Sequence, residues 1–178
     1  MKVALHVHTN LSDGTCSPEE MVKAYADLGF GAVAITDHAF MVKPGYEERL
    51  QKLNSGLLVL PGCELDWEPW HFHHLLRVQG KKEILHVLCH PRAYFLEIPQ
   101  VLARIEGAPF AIDAVEVTHR GFYTEEYNTP QLPLSKIASD DAHELCEIGR
   151  AWIEVPKTKS PDRLLQAIKA GDFSLGFV

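Results

Sequence analysis

No apolar run in this sequence approaches the roughly 18 residues of a membrane-spanning helix, so a membrane span is not expected. No basic run stands out either. Seventeen Lys and Arg stand against twenty-four Asp and Glu, for a formal charge of −7. Tight binding of long nucleic acid needs many phosphate contacts, and this balance argues against it. The four cysteines, Cys16, Cys63, Cys89 and Cys146, form no C-x-x-C pair, and a reducing, cytoplasmic setting is the simplest one. Met1-Lys2-Val3-Ala4 runs straight into a strand-like segment, so no signal peptide is expected. Internal repeats, low-complexity tracts and linkers are absent as well. Residues 1–178 therefore read as one compact domain, long enough to bury about 70% of its unfolded surface.

What is present is an alternation of strand-like and helix-like segments. Strands are expected at 3–8, 32–36, 57–62, 74–78, 84–89, 111–117, 134–138 and 151–155. Helices are expected at 18–28, 46–54, 98–106 and 161–170. Ser17, Pro18 and Glu20 form a helix-start signal: a capping serine, proline at the first helical position, and glutamate three after the cap. Ser160-Pro161 opens the last helix, and Gly171 follows it. Strands alternating with helices predict a parallel α/β architecture.

Ten histidines are many for this length, and their placement is ordered. Val3 to His8 alternates strictly, which puts Val3, Leu5 and Val7 on one strand face and His6 and His8 on the other. Neutral imidazoles side by side suit a divalent metal. Asp13 follows in a loop, then Asp37-His38 after an apolar run, and Glu64 after another. His74 opens Leu75-Leu76, and His90 ends the run 84–89. Asp141-Ala142-His143 repeats the two-residue spacing. Several of these groups sit where an apolar run stops, which is where barrel strands deliver functional side chains.

In order and spacing, the set resembles the PHP family, the polymerase-and-histidinol-phosphatase metal-dependent phosphoesterases. His6-Val7-His8-Thr9 with Ser12-Asp13-Gly14 resembles its first motif and Thr36-Asp37-His38 its second. Gly62-Cys63-Glu64 resembles the bridging-glutamate motif, His90-Pro91 the His-Pro motif, and Asp141-Ala142-His143 the last. The resemblance implies an α/β fold, a distorted seven-stranded (β/α)7 barrel. At this chain length several helices must be short or missing.

The resemblance also implies nine ligands for two or three divalent ions, Zn, Mn or Fe, with Mg an alternative. His6, His8, Glu64 and Asp141 would hold one. Glu64, as bridge, with His74 and His90 would hold a second, and Asp13, His38 and His143 a third. Asp37 and Asp140 would face away or orient ligating imidazoles. The implied reaction is phosphoester hydrolysis by a hydroxide bridging the metals at a di- or trinuclear site, on a small phosphorylated substrate. Glu64 and Asp141 are its central carboxylates. Arg92 and Arg120 are the candidate phosphate contacts, and His119 is a candidate general acid or substrate contact. His71, His73 and His86 read as structural. Trp67, Trp70 and Phe72 lie between two implied ligands, as a small aromatic core or a stacking surface. Exonuclease action on short or single-stranded ends is the alternative activity. A non-catalytic metal-stabilised domain is the alternative class. An amidohydrolase-like barrel is disfavoured because no lysine sits among the motifs. Substrate identity, metal identity and oligomeric state are not legible.

Overall fold

The computed structural model describes residues 1–53, 56–66 and 74–178. Its strands are β1 (Lys2–Ala4), β2 (Ala32–Ile35), β3 (Leu58–Asp66), β4 (His74–Gln79), β5 (Ile84–Leu88), β6 (Ala114–Glu116), β7 (Thr118–His119), β8 (Phe122–Tyr123), β9 (Ser135–Ile137), β10 (Ala151–Glu154) and β11 (Ser174–Phe177). The helices are α1 (Pro18–Asp27), α2 (Tyr46–Gln51), α3 (Ile98–Gly107) and α4 (Pro161–Lys169).

Nine strands form one curved sheet in the order β11-β10-β1-β2-β3-β4-β5-β6-β9, and β7 pairs with β8 separately. Seven of the nine run from β1 round to β9, and the sheet is nearly closed. Closure comes beyond the regular strands. Val7 bridges Ala142, and the N–H groups of Leu5 and His6 both donate to Ser139 Oγ, at 3.3 and 2.8 Å. The expectation of seven strands is thus corrected to nine, because β10 and β11 add to the other edge of β1. The expectation of parallel strands is corrected as well. β4 runs antiparallel to β3 and β5, and β10 antiparallel to β1 and β11. The β4–β5 connection explains part of this: Gly80 N–H donates to Glu83 C=O at 2.8 Å, closing a turn far too short for a parallel crossover.

Three apolar layers hold the barrel. The inner cluster draws Val3, Ala34, Leu60, Leu76, Val87, Ala114 and Ile137 from successive strands, and Leu164, Leu165 and Ile168 of α4 join it. Outside, Met21, Val22 and Tyr25 of α1 pack on Val33 and Ile35, and Val101 of α3 belongs with Leu88 and Val115. Helix α1 starts as its sequence predicts: Glu20 N–H donates to Ser17 Oγ, and the Ser17 N–H donates to the Glu20 carboxylate at 2.8 Å. Helix α2 is shorter than expected, six residues.

The alternation expected for Val3 to His8 breaks midway. Val3 and Leu5 lie in the inner cluster, but Val7 lies in the outer one with α1. The paired donation of Leu5 and His6 to one hydroxyl marks the irregularity, and regular β1 ends at Ala4. A one-residue shift of face in this short stretch turns His6 and His8 together onto the barrel mouth.

Candidate metal centre

Six strands bring candidate ligands to one end of the barrel. His6 and His8 follow β1, His38 follows β2, His90 follows β5, and Asp141 and His143 follow β9. Glu64 lies near the carboxyl end of β3. His74 is the first residue of β4, and because β4 runs antiparallel its start lies at that same end. A chain that reverses once can thus present a ligand from the wrong end of a strand and still reach the common site.

Glu64 stands at the centre, 1% exposed. Its Oε1 faces His74 Nδ1 at 2.9 Å, His90 Nε2 at 3.1 Å and His6 Nε2 at 3.4 Å. Its Oε2 faces His8 Nε2 at 3.2 Å and His38 Nδ1 at 3.4 Å. Asp141 Oδ1 lies 3.4 Å from both His6 Nε2 and His8 Nε2, and those two nitrogens are 3.1 Å apart. Asp13 collects a further set, with His8 Nδ1 at 3.3 Å, His38 Nε2 at 3.4 Å and His143 Nε2 at 3.3 Å.

These distances fit metal ligation. Donor atoms 3.1–3.4 Å apart are the corners of a tetrahedron whose centre lies about 2.0 Å from each, the usual ligand distance of zinc. Two imidazole nitrogens at 3.1 Å do not settle there without a proton or a cation between them. His8 Nδ1 and His38 Nδ1, which face Asp13 and Glu64, are buried without a hydrogen-bond partner, as expected of donor atoms whose partner is an ion. Four groups of donors, all within 4.8 Å of one another, contain the nine expected ligands, and one adds Cys89 to His6, Glu64 and His90.

Electrostatics point the same way. Burial opposes charge on His6, yet Asp141, Glu64 and Glu116 outweigh it and hold its pKa well above the ordinary value. His8 behaves likewise, pushed up to about 10 against burial by Asp13, Asp141 and Glu64. Burial alone would raise Glu64 and Asp141, but the surrounding imidazoles hold both below the usual carboxylate range. The carboxylates therefore demand positive charge, which divalent ions can supply in place of protons.

The supporting residues are less predictable from sequence. Among the described residues Asp37 orients no imidazole. It accepts from Thr9 N–H at 2.7 Å, Thr9 Oγ1 at 2.8 Å and Tyr46 OH at 3.0 Å, tying down the loop after His8. Asp140 accepts from the N–H groups of Gly149 and Ala151, both at 2.7 Å, and from Tyr25 OH at 2.8 Å. Gly14 is needed for close approach: a Cβ there would stand 2.8 Å from the backbone of His8 and Thr9. Two candidate ligands, His90 (φ 21°) and Asp141 (φ 50°), have backbones in the sparsely populated positive-φ region.

At the rim, Arg92 is exposed and pairs with Glu126 at 2.7 Å. Arg120 lies against the candidate ligands, its Nη1 3.1 Å from His143 Nδ1 and its Nε 3.8 Å from Asp141 Oδ2, and it also pairs with Glu147 at 3.5 Å. The His119 ring is centred 6.1 Å from that of His90. Burial and the neighbouring His90 hold its pKa below the ordinary value. His86 stacks on Phe110 at 4.0 Å, as a structural histidine would. His71, His73 and the Trp67, Trp70, Phe72 segment lie outside the described residues. Two neighbours of the ligands escaped sequence reasoning: Asp66, whose Oδ1 is 3.0 Å from His74 Nε2, and the buried Glu116. For Glu116 the available signal was a glutamate ending an apolar strand run.

A curved α/β sheet with imidazoles and carboxylates gathered at one end defines a metal-centred barrel protein. The chain belongs to the PHP domain family, whose model matches residues 4–137; the PHP-associated model matches residues 127–173. It is 35% identical over 72 residues to the 5'-3' exoribonuclease Rnm of Salmonella typhimurium and 36% over 73 residues to that of Escherichia coli. Each match spans 39% of this chain and only 25% of the relative. Among solved structures, a two-domain protein from Bacteroides vulgatus containing a predicted PHP-like metal-dependent phosphoesterase aligns with a TM-score of 0.72 at 18% identity. That alignment covers 99% of this chain and 64% of the other. An amidohydrolase from Chromobacterium violaceum with bound sulfate and no metal aligns at 0.67 and 14% identity, over 94% and 96%. A candidate metal-dependent phosphoesterase from Bifidobacterium adolescentis aligns at 0.60 and 16%, over 95% and 96%. These likenesses support the fold.

Among the described residues, no helix is long and apolar enough to cross a membrane.

Proposed function

We propose that this chain hydrolyses the phosphoester of a small molecule in the cytoplasm, with two or three divalent ions, Zn, Mn, Fe or Mg, at the cluster. The observation that carries the reading is Glu64, a single buried carboxylate faced by five imidazoles. His6, His8, Glu64 and Asp141 would hold one ion; Glu64, His74 and His90 a second; Asp13, His38 and His143 a third. Bound there, divalent ions supply Lewis-acid charge for a phosphate and lower the pKa of water.

The remaining work falls to the chain's own groups. Glu64 keeps the two halves of the cluster at a fixed separation. Asp141 and Glu147 hold the Arg120 guanidinium beside the candidate ligands, where its donors can reach phosphate oxygens. Arg92, committed to Glu126, is the weaker candidate for that role. His119 offers a ring N–H to the leaving side of the substrate. Cleavage of an aryl phosphate by the Mn- or Zn-loaded protein, lost in Glu64→Gln, tests this. Absence of turnover on monoester and diester alike, in protein shown to contain metal, would leave the non-catalytic reading.

The match to exoribonucleases favours a second substrate, the end of a short RNA. Phe40 is 70% exposed, with its ring 5.5 Å from that of His38, so a base could stack there. Stepwise shortening of a 5'-phosphorylated oligoribonucleotide, faster than aryl phosphate cleavage, would select this reading.

A further inference from the structure

Glu116 is the last residue of β6 and is wholly buried. Its Oε2 accepts from the His90 backbone N–H at 2.9 Å and faces His6 Nδ1 at 3.3 Å. Its Oε1 has no hydrogen-bond partner. Among the described residues no lysine or arginine pairs with it, and it belongs to none of the four donor groups. Once an ion makes His6 neutral, Glu116 is a buried carboxylate facing no cation, a poor structural element whose desolvation is not repaid by a partner. Its position has to be explained by what it does to its two neighbours.

We propose that Glu116 is the positioning residue of the metal centre, setting two ligands from two strands at once. The proposal rests on reading the cluster as a metal site. Accepting from His6 Nδ1–H fixes the proton on that nitrogen. The lone pair is then on Nε2, the atom that faces His8, Glu64 and Asp141. Accepting from the His90 N–H holds that residue's backbone at φ 21°, ψ 65°. In that conformation His90 Nε2 meets Glu64 Oε1 at 3.1 Å. His6 and His90 fall in different sets of the proposed ligation, so one side chain acts on both. Asp66 does less: it faces only His74 Nε2, opposite the Nδ1 that meets Glu64.

The test is Zn²⁺ titration, against a chromophoric chelator, of metal-stripped wild type, Glu116→Ala, Glu116→Gln and Asp66→Ala. Melting curves of the stripped proteins are recorded alongside. In Glu116→Ala two binding events should weaken by about 10–100-fold, while the event belonging to Asp13, His38 and His143 keeps its affinity. Glu116→Gln retains a carbonyl that can accept from both N–H groups but lacks the charge, so it should fall between. Asp66→Ala should weaken one event. Long-range ¹⁵N correlation on the Zn-loaded wild type should show His6 protonated at Nδ1 and metal-bound at Nε2. A lower melting temperature for Glu116→Ala with wild-type Zn²⁺ affinity would overturn the proposal and leave Glu116 merely structural. If Glu116→Ala fails to fold, wild-type affinity in Glu116→Gln, or metal on His6 Nδ1, overturns it equally. A wild type that binds no Zn²⁺ would instead refute the metal-site reading itself, and this proposal with it.

Discussion

Removing the divalent ions should cost more stability the higher the pH. In the metal-free protein His8 is pushed up to about 10 by Asp13, Asp141 and Glu64, against 6.5 for a free imidazole. That difference corresponds to on the order of 5 kcal/mol. The folded-state value lies above the unfolded one, so this contribution is complete below 6.5 and is lost as pH rises through 10. His6 and His90 are raised in the same direction by the same carboxylates, against burial. In the loaded protein these imidazoles are neutral, as they are in the unfolded chain above pH 7, so its stability is nearly flat there. The difference between loaded and stripped protein must therefore widen from pH 6.5 towards 9. A free ion at a hundred times its Kd adds about 2.7 kcal/mol per site. In a chain of 178 residues that is a rise of about 5–11 °C per site. Below about pH 5 the gap closes, because protons compete for the six candidate histidine ligands and the ions leave. The assay is differential scanning fluorimetry at pH 6, 7.5 and 9, with Zn²⁺ or with chelator, and metal content confirmed by elemental analysis. A gap that stayed constant or closed with rising pH would refute the linkage. Equal melting curves in demonstrably stripped protein would refute the site.

Glu64→Gln should be the most damaging conservative change, since it removes the charge that five imidazoles face, whereas His90→Asn should weaken chiefly one ion; turnover per bound metal compares them. Arg120→Ala should raise KM for a phosphoester at least tenfold while Arg92→Ala leaves it within twofold, and the opposite ranking in steady-state kinetics would return the phosphate contact to Arg92. Asp140→Ala strands two backbone N–H groups and a phenol, a loss of about 3 kcal/mol or more. Melting should fall roughly 6–12 °C in loaded and stripped protein alike, and unequal falls would mean that Asp140 acts through the metals.

Sequence alone carried the chemistry of this protein further than its architecture. His6-Val7-His8, Asp37-His38 and Asp141-Ala142-His143 are local patterns, and whether a residue can be a ligand depends on side-chain type, which a sequence states outright. Helix α1 was equally legible, because a capping box is a contact between residues three apart. What needed the tertiary structure were the effects of pairing at long range. The antiparallel run of β4 decides that His74 points to the same end as His90, and no alternation of apolar residues encodes strand direction. The break that sends Val7 outward while His6 and His8 turn to the mouth depends on Ser139, more than a hundred residues away. Arg92 and Arg120 looked alike as loop arginines; each pairs with a glutamate, Glu126 or Glu147, and only the contact of Arg120 with Asp141 and His143 separates them. The part played by Glu116 was hidden for the same reason: its neighbours His6 and His90 follow β1 and β5, and a buried carboxylate acquires meaning only from the groups that folding places around it.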